Sequence, residues 1–175
     1  MIKKITLVVL IAFISSCYST QELSKRTSTD IMYFNKNTFE AEYQNRVPGD
    51  TQNSLWKDLC FHDNSKNQIG TALSTVGLKM EGDNRIKAVL FENKIPQDSL
   101  ILKGKLKDKL FVIRKGSYVI PLIFVNGSRT KKTALGNDIN GDLVLLQKDA
   151  ESSAILGEEG HSQADFVTAT YMRIN

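Results

Sequence analysis

Histidine is nearly absent from this chain. His62 and His161 are the only two, and they fit no zinc-ligand spacing, so neither a metal nor a cofactor is expected. Long apolar runs are missing too. The longest, Ile5 to Ile14, falls well short of the roughly 20 residues that a bilayer-spanning helix needs at about 1.5 Å each. Proline is scarce, with three residues in 175, and 41% of the chain is hydrophobic against 24% charged, which argues against wholesale disorder. A charge excess is also lacking. Of 23 Lys and Arg, Lys3 and Lys4 sit in the first few positions, which leaves 21 against 19 Asp and Glu. That balance speaks against nucleic acid, whose binding calls for a concentrated basic surface. No G-x-S-x-G, phosphate-binding loop, dinucleotide fingerprint or H-E-x-x-H occurs, so a non-catalytic protein is expected.

What is present begins at the N-terminus. Lys3 and Lys4, the apolar run Ile5 to Ile14, and then Ser15, Ser16 and Cys17 have the three-part layout of an export signal. Ile14-Ser15-Ser16-Cys17 resembles the lipobox of bacterial lipoproteins, an aliphatic residue and two small residues before a cysteine. The resemblance implies that residues 1–16 are removed as a signal peptide, and that Cys17 carries a diacylglyceryl group on sulfur and becomes the mature N-terminus. It implies a membrane partner reached through the lipid. Two acyl chains anchor stably where one binds marginally, at about 0.8 kcal/mol per buried methylene. Tyr18 stands where an aspartate would signal inner-membrane retention, so the resemblance implies the outer membrane, facing the periplasm. With Cys17 lipidated, Cys60 has no disulfide partner. Its apolar setting in "LWKDLCF" reads as a buried inert thiol rather than as a nucleophile paired with His62.

Residues 17–29 are the lipidated cysteine and a polar, Ser/Thr-rich tether, which as a flexible chain spans about 20 Å. Residues 30–175 then form one β-rich domain. "TFEAEYQ" alternates as a half-buried strand through Phe39, Ala41 and Tyr43. Ser54 is a plausible N-cap for a short helix over 54–61 whose Trp56 face plugs a core. From about residue 75 the strands follow one another. Turns are expected at "EGDN", Lys107-Asp108, Asn126-Gly127 and Asn140-Gly141, and Phe166 to Ile174 closes the series. The expectation is an all-β fold, an antiparallel barrel or sandwich of about eight to nine strands with one short N-terminal helix. The domain broadly resembles small lipid-anchored β-barrel proteins of the bacterial envelope, although Trp56 stands in "SLW" where lipocalins have G-x-W.

Four stretches are candidate sites. "VIPLIFV", residues 119–125, is apolar on both strand faces. Val119, Ile120, Leu122 and Phe124 either wall a cavity for an apolar ligand or lie buried beneath the helix. Lys103, Lys105, Lys107 and Lys109 share one parity, with Lys131 and Lys132 potential neighbours. They suit either anionic head-groups or a solvated strand guarded against edge pairing. "DINGDLVLLQKD" looks superficially like a calcium loop through Asp138, Asn140, Asp142 and Asp149. Leu143 occupies the place that needs glycine, so a hairpin is expected instead. "GEEGHSQAD", residues 157–165, reads as a polar loop in which Glu158, Glu159, His161 and Ser162 are available to a protein partner. The composite expectation is a lipid-anchored envelope protein that binds a ligand or a partner without catalysis. The alternative is an inhibitor or immunity-type lipoprotein acting through loop 157–165, with a hydrolase third.

Overall fold

The computed structural model describes residues 34–47, 53–62, 73–121, 125–155 and 161–174, together with Lys25 and Ile31. Two short helices, α1 (Lys36–Phe39) and α2 (Leu55–Leu59), flank strand β1 (Ala41–Gln44), and α2 runs into a 3-10 turn, Cys60–His62. Then come β2 (Thr75–Met80), β3 (Arg85–Glu92), β4 (Ile95–Lys107), β5 (Leu110–Pro121), β6 (Val125–Asn137), β7 (Leu143–Ile155), β8 (His161–Tyr171) and β9 (Arg173–Ile174). The chain is mostly β. The nine strands form one antiparallel sheet in the order β8-β7-β6-β5-β4-β3-β2-β1-β9. The ladder is not a closed ring, but its two ends, β8 and β9, are consecutive in the chain and separated only by Met172.

Alternation drives this arrangement. Val76, Leu78 and Met80 of β2 and Ile86, Ala88 and Leu90 of β3 all bury, while Lys79, Arg85 and Lys87 between them stay exposed. These residues join Tyr43, Leu102, Phe111, Ile113, Leu135, Leu143, Leu145 and Tyr171 in one core cluster. α2 inserts Leu55, Trp56 and Leu59 into the same cluster, each at most 1% exposed. A helix of five residues cannot persist on its own, so its packing and end contacts must hold it. Ser54 caps it, accepting from Lys57 N at 3.2 Å. Asn45 supplies two further acceptors for its first amides, its carbonyl to Leu55 N (2.7 Å) and its side chain to Trp56 N (2.8 Å).

The opposite face of β5, β6 and β7 is not left open. Leu110, Val112, Ala134, Val144 and Leu146 form a second buried cluster against which Ile31 and Phe166 pack. This explains why Leu143 to Gln147 bury without alternating.

Several boundaries differ from the expected ones. Phe39 belongs to α1 rather than to a strand, because Asn35 accepts from Asn37 N (2.9 Å) and starts a helical turn there. Asn126-Gly127 is not a turn. Asn126 and Gly127 pair with Pro121 and Ile120 inside the β5–β6 ladder, and the chain reverses between Pro121 and Val125. "VIPLIFV" is therefore not one strand but the ends of two. Residues 161–165, expected in a loop, are the start of β8, paired with β7 from Ser153 to Asp149. The reversal near Lys107 has Asp108 (φ 49°) and Lys109 (φ 69°) at its centre, and an unexpected one has Asn93 (φ 50°) and Lys94 (φ 64°). Both are two-residue hairpins with both central residues left-handed, whose twist matches that of the flanking strands.

One buried polar group makes the fold sensitive to alkali. Tyr43 is fully buried; its hydroxyl donates to Phe39 O (2.9 Å) and accepts from Asn137 Nδ2 (3.1 Å). Burial raises its pKa above the ordinary 10.0, outweighing the opposing Asn137 hydrogen bond. The folded state therefore holds its proton longer than the unfolded chain does. This contribution is complete below pH 10.0 and is lost as pH rises through the folded value. Urea titrations at pH 8 to 11 should show stability declining above about pH 10, with a shallower decline in Tyr43→Phe. Equal slopes in the two proteins would disprove the assignment.

Candidate functional site

A concentration of unpaired cations among the described residues lies where the sheet changes partners along β4. Residues 95–103 of β4 pair with β3, and Gly104 to Lys107 pair with β5. β3 begins at Arg85, opposite Lys103, so it does not reach Gly104–Lys107; the turn at 81–84 adjoins that edge, with Gly104 N donating to Asn84 O (2.9 Å). An open groove of about 750 Å³ results, lined by Asn84, Arg85, Lys103, Gly104, Lys105, Leu106, Lys107 and Val112. Four of these are cations and none is an acid. Among the described residues, none of the four makes an ion pair or a side-chain hydrogen bond. Glu81, Asp83 and Asp108 stand exposed in the flanking turns.

Strand geometry extends the patch. Directly opposed residues share a face, as do residues two apart. Lys79 opposes Lys87, and Lys87 opposes Ile101, which is two positions from Lys103. The outer face of β2–β4 thus continues the groove with two more cations and with Ile101, 44% exposed; Leu106 within the groove is 57% exposed.

Of the expected lysine row, Lys103, Lys105 and Lys107 come together, and Arg85 joins them. Lys109 leaves the row because it lies in the turn. Lys131 and Lys132 do not join it. The Lys131 ammonium donates to Phe61 O (3.3 Å) and lies 4.4 Å above the Phe61 ring, while Lys132 is buried.

No family model, curated protein or solved structure matches this chain.

The other candidates fare differently. Cys17, Leu122, Phe124, Glu158 and Glu159 lie outside the described residues. Val119 and Ile120 are located on β5 by backbone register alone, opposite Ser128 and Gly127. His161 begins β8 opposite Ser153, and Ser162 beside it is exposed. Cys60 is buried in the core. The calcium-like stretch is a hairpin. Asp138 Oδ1 accepts from the amides of Asn140 and Asp142, both at 2.9 Å, and Asp142 accepts from Arg173 N (2.7 Å). Asp149 forms a two-pronged pair with Arg129, at 3.1 and 2.7 Å. Among the described residues no group of three or more His, Cys, Asp or Glu could hold a metal.

A buried polar cluster escaped sequence reasoning. The Tyr171 hydroxyl donates to the Asp58 carboxylate, and Gln147 Nε2 donates to Asp58 O (2.6 Å). These bonds join α2 to β7 and β8 inside the core. Their role is to seat the plug.

Proposed function

We propose that this protein is a lipid-anchored, non-catalytic binding module of the bacterial cell envelope that engages a negatively charged partner through its outer cationic groove. The observation that carries the reading is the convergence of Arg85, Lys103, Lys105 and Lys107 on one open groove with no acidic residue lining it among the described residues. Four cations are held together against their mutual repulsion, and a partner of opposite sign relieves it. The inner face supports the same reading. Trp56, Phe39, Tyr43 and Phe111 bury completely in a single cluster, so binding at the outer surface suits this domain better than binding within it.

The domain is proposed to be a barrel, with β8 and β9 as one strand that closes it. Three observations favour closure. β8 pairs with β7 while β9 pairs with β1; Met172 between them accepts from Gln44 N at 2.8 Å; and the inner faces of β1 to β8 share one core. Closure also removes the sheet edges at which chains aggregate. Cys17 is the proposed lipid attachment site, facing the periplasm from the outer membrane.

The anchor is tested by Cys17→Ser. Without the thiol there is no nucleophile to accept the diacylglyceryl group, so an uncleaved precursor without lipid should accumulate and leave the detergent phase. A mature mass that shows no loss of lipid, with unchanged detergent partitioning, would defeat the assignment.

A further inference from the structure

We infer that the groove and the adjoining outer face of β2–β4 form a docking surface for the anionic head-groups of a phospholipid bilayer. This rests on the proposal that the groove takes a partner of negative charge, and it names that partner.

Three features select a membrane surface. The first is how the charge is held. Arg85, Lys103, Lys105 and Lys107 have no side-chain hydrogen bonds or ion pairs among the described residues, so no rigid cradle fixes them around a single small anion. Long unconstrained cations suit a diffuse, laterally mobile array of charges. The second is the apolar component. Ile101, 44% exposed, shares the face of Lys103, Lys105 and Lys107 and is placed to enter the boundary between head-groups and acyl chains, while Leu106, 57% exposed, has the opposite parity on β4 and borders the groove. Among the described residues no aromatic side chain lines the groove to stack a base, which disfavours single-stranded nucleic acid.

The third is position. Ile31 packs in the outer cluster with Leu110 and Val112. A Cβ on Gly136 would meet both Ile31 Cγ2 and Leu110 Cδ2 at 2.9 Å. Leu110 pairs with Lys107, and Val112 pairs with Lys105 and lines the groove. Ile31 therefore packs on the face that carries the cations. An N-terminus fixed in a bilayer holds this end of the domain close to it. Lysines near such a surface then add to the anchor, each weakening binding roughly five-fold when neutralised.

Lysine footprinting on the full chain tests this. The protein is reconstituted in vesicles of phosphatidylcholine alone, or of phosphatidylcholine with phosphatidylglycerol, and acetylation at each lysine is followed by mass spectrometry. Lys94 is the internal control. It is exposed in the turn at the other end of the β3–β4 hairpin. Lys103, Lys105 and Lys107 should react at least about five-fold more slowly on the anionic vesicles, the protection should vanish in 1 M salt, and Lys94 should react alike on both. Equal rates at the three groove lysines on both vesicle types would overturn the inference. So would equal protection by inorganic phosphate without vesicles, which would leave a negatively charged partner but make it a soluble one. Flotation separates the two ideas: a chain that floats with neutral vesicles while its groove lysines stay reactive on anionic ones retains the anchor and loses the docking surface.

Discussion

Trp56→Ala should strongly destabilise the domain. Trp56 is fully buried on a helix of five residues, and the same cluster holds Leu55, Leu59, Phe39 and Tyr43. Truncating a buried Trp to Ala costs about 3–5 kcal/mol, because both the transfer term and the cavity left behind count. A domain has about 5–15 kcal/mol in total, so at least about a fifth of its stability is at stake. At roughly 2–4 °C per kcal/mol for a domain of this size, the melting temperature should fall by roughly 6–20 °C. Circular dichroism is the right probe, since Trp56 is the only tryptophan. Trp56→Phe should be much milder. It keeps most of the apolar area and removes an indole Nε1–H that is buried without a partner among the described residues. If the alanine variant melts within a degree or two of wild type, α2 does not plug the core.

Gly104→Val should be the second large effect, for the opposite reason. A Cβ at Gly104 would lie 2.7 Å from Val112 O and 2.8 Å from Phe111 Cζ. The carbonyl belongs to the β5 backbone and the ring is fully buried, so neither yields cheaply. Overpacking of this kind costs about 1–3 kcal/mol for small additions, and valine, with two methyls more than alanine, belongs at or above the top of that range. Gly136 makes a useful contrast. A Cβ there would meet the methyl ends of Ile31 and Leu110, which can turn aside, so Gly136→Ala should be tolerated better than Gly104→Ala. In urea denaturation, Phe111→Leu combined with Gly104→Ala should recover the part of the loss due to the ring and leave the part due to the carbonyl. Strict additivity would show that ring and glycine do not touch.

Both variants act at places that differed in how legible they were. The helical plug could be read directly: a serine cap, Leu55 and Leu59 four apart, and a lone tryptophan between them are local signals. The β2–β3 hairpin was equally clear, because period-two alternation on both sides of "EGDN" admits one pairing. The β5–β6 reversal was not. "VIPLIFV" is apolar throughout, so hydrophobicity gave no boundary, and the strong local turn signal, Asn126-Gly127, lies inside the β5–β6 ladder. Local chemistry lost there to the long ladder from Phe111 to Pro121.

The groove shows the limit most clearly. Its three lysines share a parity that any reader can see, but Arg85 could not have been added by counting. Back from the Asn93-Lys94 turn, Glu92 pairs with Ile95 and Phe91 with Pro96; then a bulge at Leu90/Phe91 shifts the register. Without that one-residue shift Arg85 would oppose Leu102, and the cations would not meet.

The sequence by itself determined the local terms: which residues alternate, where the short helix is capped, which turns accept left-handed backbone, and a leader whose cysteine resembles a lipoprotein's. Those depend on neighbours within a few positions, where sterics and hydrophobic period act directly. The tertiary structure alone decided which strand meets which and in what register. It placed Ile31 against Leu110, buried the outer face of β7 and gathered Arg85 with Lys103, Lys105 and Lys107 around one groove. Such pairings are set by the summed packing of the whole core, and in a β-sheet a slip of one residue turns every side chain to the other face.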